Sequence, residues 1–196
     1  MLNKFTYQHI FGWCDFYHTY SEAVRDAKDN AIFVEIGAWL GKSTAFMAES
    51  IKQSGKNITF YTVDTWRGNP LVQEHRDFIE EYGVNGSIFS LFRENMLKAN
   101  VANFVIPLEM TSENASKEFK DNSLDFIFID GDHEYESVKL DIECWWPKLK
   151  ENGVIAGDDY CCGWPGVDKA VDEKFRKLVI KVENIGAVGY TWMVIK

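Results

Sequence analysis

Five short runs in this chain are apolar at nearly every position: residues 31–36, 58–63, 104–108, 124–129 and 153–156. A strand that is apolar on both faces must be covered on both, as the strands of a parallel sheet are when helices lie above and below it. The segments between these runs carry helical spacing. Residues 43–51 follow the first run, 88–97 precede the third, 112–119 follow it, 135–149 follow the fourth and 167–175 the fifth. In 135–149 the apolar residues Val138, Ile142, Trp145, Trp146 and Leu149 recur at three- and four-residue steps, which is one face of a helix. Strand and helix alternating at this interval predict a three-layer α/β domain with right-handed crossovers.

The tail breaks that rhythm. Runs 178–182 and 190–195 are separated only by 183–189, too short for a crossover helix, so the sheet is expected to end in an antiparallel hairpin. Residues 1–30 read as a helical extension, with one or two helices over 5–28. Residues 67–87 hold the highest density of turn formers and are expected to be a substrate loop or lid. The 196 residues fit one domain over 1–196.

Acidic residues outnumber basic ones by 30 to 21, a net charge of −9. This argues against a partner held by its phosphate backbone, so nucleic acid is not expected. No apolar run approaches membrane-spanning length, and the start lacks the pattern of a signal peptide. Cys14, Cys144, Cys161 and Cys162 form neither a disulfide framework nor a paired metal knuckle. Reduced thiols and a cytoplasmic location are the expectation. A homo-oligomer is compatible with all of this.

In an open α/β sheet, ligands sit at the carboxyl ends of the strands, so the residues just past each apolar run carry the information. The first such end runs from Phe33 to Thr44 and contains Glu35, Gly37, Gly41, Lys42, Ser43 and Thr44. A phosphate-binding loop needs four residues between its glycines, and here there are three; a dinucleotide fingerprint needs glycine at position 39, which is Trp39. What remains is an acid two residues before a glycine turn, with a carboxylate expected to face the crevice and favour a cation. At the second end Asp64 is placed to accept from the two hydroxyls of a ribose. Asp130, Asp132 and His133 follow the fourth run, and Asp158 and Asp159 the fifth. Adjacent acids also serve as turn formers, and for Asp158 and Asp159 both readings stand open.

Four motifs together, Glu35-Ile-Gly-x-x-x-Gly-Lys-Ser-Thr44, Val63-Asp64-Thr-Trp66, Phe128-Ile-Asp-Gly-Asp-His-Glu-Tyr135 and Gly153-Val-Ile-Ala-Gly-Asp-Asp-Tyr160, resemble those of class I S-adenosylmethionine-dependent methyltransferases. The resemblance is to the small group with the I-D-G-D-H-x-Y signature, with catechol and macrocin O-methyltransferases as more distant relatives. It implies a Rossmann-like methyltransferase fold: a seven-stranded, mostly parallel sheet with an antiparallel C-terminal strand and helices on both faces.

The resemblance further implies an enzyme that moves a methyl group from S-adenosylmethionine to a small-molecule or sugar acceptor, at a hydroxyl. By position it puts Glu35 and Gly37 beside the methionine end of the cofactor, Asp64 on the ribose, and Thr65 or Trp66 along the adenine. Met110 and Thr111 would line the adenine pocket, Asp130 would lie near the methyl donor, and Ala38, Ser43 and Thr44 complete the cofactor-binding set. Two catalytic devices are open. Asp130, Asp158 and Asp159 could hold Mg²⁺ or another divalent cation, as in the metal-dependent relatives; alternatively His133 acts as base beside Asp130 without metal. The competing functional readings are a P-loop nucleotide hydrolase built on residues 37–44 and a cofactor-binding module without catalysis.

Overall fold

The structure is a computed structural model and describes residues 5–184 and 189–196. Among the described residues seven strands form one sheet: β1 (Ala31–Ile36), β2 (Ile58–Asp64), β3 (Ile106–Glu109), β4 (Leu124–Ile129), β5 (Leu149–Tyr160), β6 (Ile180–Glu183) and β7 (Tyr190–Ile195). Their order is β3-β2-β1-β4-β5-β7-β6. The pairs β1 with β2, β1 with β4, β2 with β3 and β4 with β5 are parallel, and β7 is antiparallel to both β5 and β6. The reversed strand is therefore the last one, inserted between its two neighbours.

The helices are α1 (Tyr17–Asp26), α2 (Lys42–Ser54), α3 (Gln73–Tyr82), α4 (Phe89–Lys98), α5 (Ser112–Ser116), α6 (Tyr135–Trp145) and α7 (Pro165–Lys174). Alternation along each strand sends successive side chains to opposite faces, and the core divides accordingly. Phe33, Phe60, Phe126 and Phe128 pack with residues of α1, α2 and α4, including Tyr20, Met47 and Phe92. Val34, Ile36, Val63, Ile127 and Ile129 pack with residues of α5, α6 and α7, including Ala115, Ile142 and Val171. Two covered faces are the reason the strand runs are apolar throughout. Burial of a side chain such as Phe33 or Ile127 contributes about 1.5–3 kcal/mol. Among the described residues no helix is long and apolar enough to cross a membrane.

Several boundaries differ from the expected ones. Residues 102–104 form a 3-10 turn and the third strand begins at Ile106; as an edge strand it tolerates Pro107. The helix expected over 135–149 ends at Trp145, because Pro147 lacks the N–H a further turn would need. Leu149 instead opens β5, which is far longer than 153–156 because β4 and β7 pair with it on either side. The helix expected over 112–119 stops at Ser116. The N-terminal segment holds a 3-10 turn at Tyr7–His9 and then α1. The loop expected over 67–87 contains a full helix, α3, none of whose residues is buried. Residues 1–4 of the helical extension and 185–188 of the hairpin turn lie outside the described residues.

Candidate active site at the carboxyl ends of the strands

The turn between β1 and α2 is shaped by its neighbours. Gly37 has φ +89°, and a Cβ there would lie 1.9 Å from the carbonyl oxygen of Asp130. Its N–H donates to the Val63 carbonyl at 2.9 Å, and the Asp130 N–H donates to the Ile36 carbonyl at 2.8 Å. The three strand ends are thus laced together at this point, with no room for a side chain. Gly41, φ +88°, is pressed against Met96 and Phe92 of α4 in the same way. Both glycines are required by packing of the chain on itself, whatever ligand lies above.

Asp64 ties this turn to β2. Its Oδ2 accepts the N–H groups of Ala38 and Trp39, both at 2.9 Å, and its Oδ1 accepts the N–H of Trp66 at 2.7 Å. The carboxylate expected to meet a ribose diol already accepts from three backbone donors, which fix the turn and leave it part of its acceptor capacity. Ala38 is buried, and its N–H and carbonyl are both used inside the turn. Trp66, expected along the adenine, is fully buried against Phe89 and Phe92 of α4. Thr65 stays half-buried at the tip of β2. Met110 donates its N–H to the Asp64 carbonyl at 3.1 Å, and the Thr111 hydroxyl caps α5. The turns after β2 and β3 therefore stand side by side.

Glu35 corrects the expectation of an acid facing the crevice. It is buried, and its Oε1 accepts the Tyr20 hydroxyl at 2.9 Å. Its Oε2 accepts the hydroxyls of Thr44 at 2.5 Å and Thr62 at 2.8 Å. Burial raises its carboxyl while Thr44, Ser43, Thr62 and Tyr20 oppose the rise. Ser43 and Thr44, expected to touch the cofactor, are buried and support this carboxylate. Lys42 turns away to donate to the Gly12 carbonyl at 3.0 Å, so the phosphate-binding reading of residues 37–44 loses its lysine as well as its spacing.

The acids after β4 and β5 do gather. Asp130, His133 and Asp159 each offer a ligand atom within 4.8 Å of the others. Burial, and then the negative charges of Asp158, Asp159, Glu35 and Asp15, hold the Asp130 carboxyl well above the usual carboxylate range. His133 Nε2 pairs with Asp159 Oδ2 at 2.7 Å. Burial alone would pull the imidazole down, but the hydrogen bond and charge of Asp159, with Asp132 and Asp158 behind it, carry it above the ordinary histidine value. Asp159 goes the other way: burial raises it, and the bond to His133 outweighs that and lowers it. The Cys162 thiol donates to Asp159 Oδ1 at 3.2 Å.

Asp158 differs from the expected metal-binding role. Its Oδ1 accepts from Asn184 Nδ2 at 2.7 Å, and burial with the charges of Asp15 and Asp159 pushes its carboxyl up to about 7. The three-donor cluster is thus Asp130, His133 and Asp159, with histidine where the sequence reading put a second β5 acid.

Around the mouth, Trp164 stacks on His133 with centroids 4.5 Å apart and is 46% exposed. Trp39 stacks on His75 of α3 at 4.5 Å. His75 Nδ1 accepts the Asn69 N–H at 3.1 Å, and Asn69 Nδ2 reaches Asp132 Oδ1 at 3.3 Å. The 67–87 segment therefore docks at the crevice through two residues that sequence reasoning passed over, His75 and Asn69. A third is Asp141, an acid standing among the apolar positions Val138, Ile142 and Trp145 of α6. That misplacement in the apolar stripe was the available signal. The four cysteines are free thiols.

The sequence model of a family described as a methyltransferase domain matches residues 34–160. The uncharacterized protein y4gI of Sinorhizobium fredii (strain NBRC 101917 / NGR234) is 28% identical over 127 residues, 64% of this chain. The chain spans only 13% of that relative's length, and 53% of the length of a second one. Among solved structures the O-methyltransferase NovP superimposes with a TM-score of 0.70 at 21% identity, covering 93% of this chain and 80% of NovP. A Streptococcus mutans protein solved in complex with SAH gives 0.62 at 12% identity, covering 95% and 99%. At such identities the likeness is one of fold.

Proposed function

The chain belongs to the methyltransferase-domain family, and on that premise we propose that it moves a methyl group from S-adenosylmethionine to a hydroxyl of a small-molecule or sugar acceptor. The observation that carries this reading is the convergence of Asp130, His133 and Asp159 within 4.8 Å at the ends of β4 and β5. The cofactor is a sulfonium cation, and a crevice where burial and then the surrounding acids raise the Asp130 carboxyl is relieved by a positive charge. The turns after β1, β2 and β3 lie beside it, which suits the nucleoside end. Asp64 fits this role through its remaining acceptor capacity, with its three backbone bonds fixing the turn.

Methyl transfer is an in-line displacement, so the protein's main task is to hold the acceptor oxygen in line with the sulfonium carbon and to remove its proton. With Nε2 donating to Asp159, the Nδ1 of His133 is the nitrogen free to take that proton. Asp159 then stabilises the imidazolium, and the Trp164 stack fixes the ring plane. The segment 67–87 and its helix α3 act as the acceptor-side lid, held by Asn69 and His75.

A divalent cation is the second reading, supported by the same cluster. One nitrogen and two carboxylates suit Mn²⁺, Fe²⁺ or Zn²⁺ better than Mg²⁺. Asp130, His133 and Asp159 would hold it, and when bound it would supply polarisation of the acceptor oxygen. Release of S-adenosylhomocysteine across a panel of phenols and sugars tests the main reading. Full turnover after exhaustive chelation supports His133 as base, and loss of turnover supports the cation. Calorimetric heat with Mg-ATP and none with S-adenosylhomocysteine overturns the methyltransferase reading altogether.

A further inference from the structure

The segment 67–87 is pinned at its neck and lightly held along its length. At the neck the Ile88 N–H donates to the Trp66 carbonyl at 2.9 Å, and both residues are buried. Beyond it α3 buries none of its residues. Among the described residues it meets the body through the His75 ring on Trp39, through Phe78 against Trp39 and Phe11 with centroids 5.4 and 5.8 Å apart, and through Asn69 on Asp132.

Asn69 reaches Asp132 from a turn that His75 sets. The Asn69 N–H donates to His75 Nδ1 at 3.1 Å, its Oδ1 accepts the Leu71 N–H at 2.9 Å, and its carbonyl accepts the Val72 N–H at 3.1 Å. Its side-chain Nδ2 is then directed at Asp132 Oδ1 at 3.3 Å. Because Nδ1 is an acceptor here, the ring is neutral and carries its proton on Nε2. A second proton has to enter at Nδ1, where it faces the Asn69 N–H, and an imidazolium offers no acceptor. Protonation therefore removes the bond that shapes the turn.

The groups facing the ring decide which way protonation pushes. Asp64 at the tip of β2 and Glu74 on α3 favour the cation, as does the face of Trp39. His133, in the turn after β4, disfavours it, and Asp132 reaches the ring through Asn69. Burial is the largest influence, and it holds the docked ring below the ordinary histidine value. Released into water, the ring returns to about 6.5. Docking is thus fully present above about 6.5 and weakens as pH falls below it.

We propose that His75 is a proton-released latch: the neutral ring holds the segment 67–87 down on the crevice, and protonation at Nδ1 frees the segment from Trp39 and Asp132. The latch rests on the reading of this segment as the acceptor-side lid. Docked, the segment keeps water from the acceptor oxygen; released, it opens the crevice to acceptor and product.

Hydrogen exchange of the ligand-free chain tests it. A helix of 10 residues with no buried side chain does not persist once released into water. The α3 amides, corrected for the intrinsic pH dependence of exchange, therefore report docking. From about pH 7.5 to about pH 5 their protection should fall about three- to tenfold, the equivalent of one hydrogen bond, while the α2 amides keep theirs. His75→Phe keeps a ring on Trp39 but takes no proton, and its α3 protection should not change over this range. Level α3 protection in the wild-type chain overturns the latch, whether or not the variant folds. A fall of the same size in α2, or one that persists in His75→Phe, overturns it too. Binding of S-adenosylhomocysteine is read separately: its absence removes the methyltransferase reading, while the exchange result still decides the latch.

Discussion

Replacing Asp64 by alanine separates a carboxylate that holds the turn from one that only meets a ligand. In the structure its two oxygens accept from three backbone N–H groups, those of Ala38, Trp39 and Trp66. Hydrogen bonds to a charged acceptor contribute about 1.5–3 kcal/mol each when buried. Asp64 is half-buried and water can reach part of the turn, so about 3 kcal/mol for the set is the reasonable figure. For a domain of this size 1 kcal/mol moves the melting temperature by about 2–4 °C, giving a drop of about 6–12 °C in Asp64→Ala without any ligand. Asp64→Asn keeps one carbonyl oxygen but sets an amide N–H against the donors, and should fall between. Saturating S-adenosylhomocysteine at about a hundred times its Kd should add about 2.7 kcal/mol to the wild-type chain, and much less to the alanine variant. Scanning calorimetry with and without the compound reads both effects. A ligand-free alanine variant melting within about 2 °C of wild type would refute the claim that this carboxylate builds the turn.

Gly37→Ala is expected to destabilise the fold by more than about 3 kcal/mol in urea titration, since the added methyl meets the Asp130 carbonyl oxygen and the backbone sits at φ +89°; a loss under about 1 kcal/mol would mean that the strand ends separate easily. If His133 is the base, kcat/KM should rise with pH through a value above the ordinary histidine figure of about 6.5, and Asp159→Asn should lower the inflection, because burial is then opposed only by the charges of Asp132 and Asp158. The same shifts set a stability window. The raised His133 contributes fully below about 6.5 and is lost as pH climbs through its folded value, while the lowered Asp159 contributes above about 4 and is lost as pH falls. The melting difference between wild type and Asp159→Asn should therefore peak between these limits.

The sheet was legible because two helix layers leave a simple mark on the strands: Phe33 faces one layer and Val34 the other, so both must be apolar. Helix α3 was not, since it buries none of its residues and its turn-rich flanks dominate the local composition. Helix α6 was legible in its apolar face but not in its end, which Pro147 and the demand of β5 for Leu149 decide.

The site divides along a different line. Strand ends follow from the apolar runs, so the positions of Glu35, Asp64, Asp130, Asp158 and Asp159 could be placed from sequence, and the structure puts all of them at one end of the sheet. The direction of each carboxylate depends on donors that lie far off in the chain: Tyr20 and Thr62 for Glu35, Asn184 for Asp158. No local pattern encodes those partners, because a hydroxyl or amide becomes a donor to a given acid only after the crossovers have brought its strand alongside. The consequence is a sorting of the acids by what they already hold. Glu35 and Asp64 are committed to the turn that frames the crevice, and Asp158 to the β6–β7 side. Asp130 and Asp159 are left gathered with His133, the one cationisable group in that cluster. The acidity of the chain is therefore spent in two ways at one end of the sheet, partly as scaffold and partly as charge, and only the second part is available to a cationic cofactor or a metal.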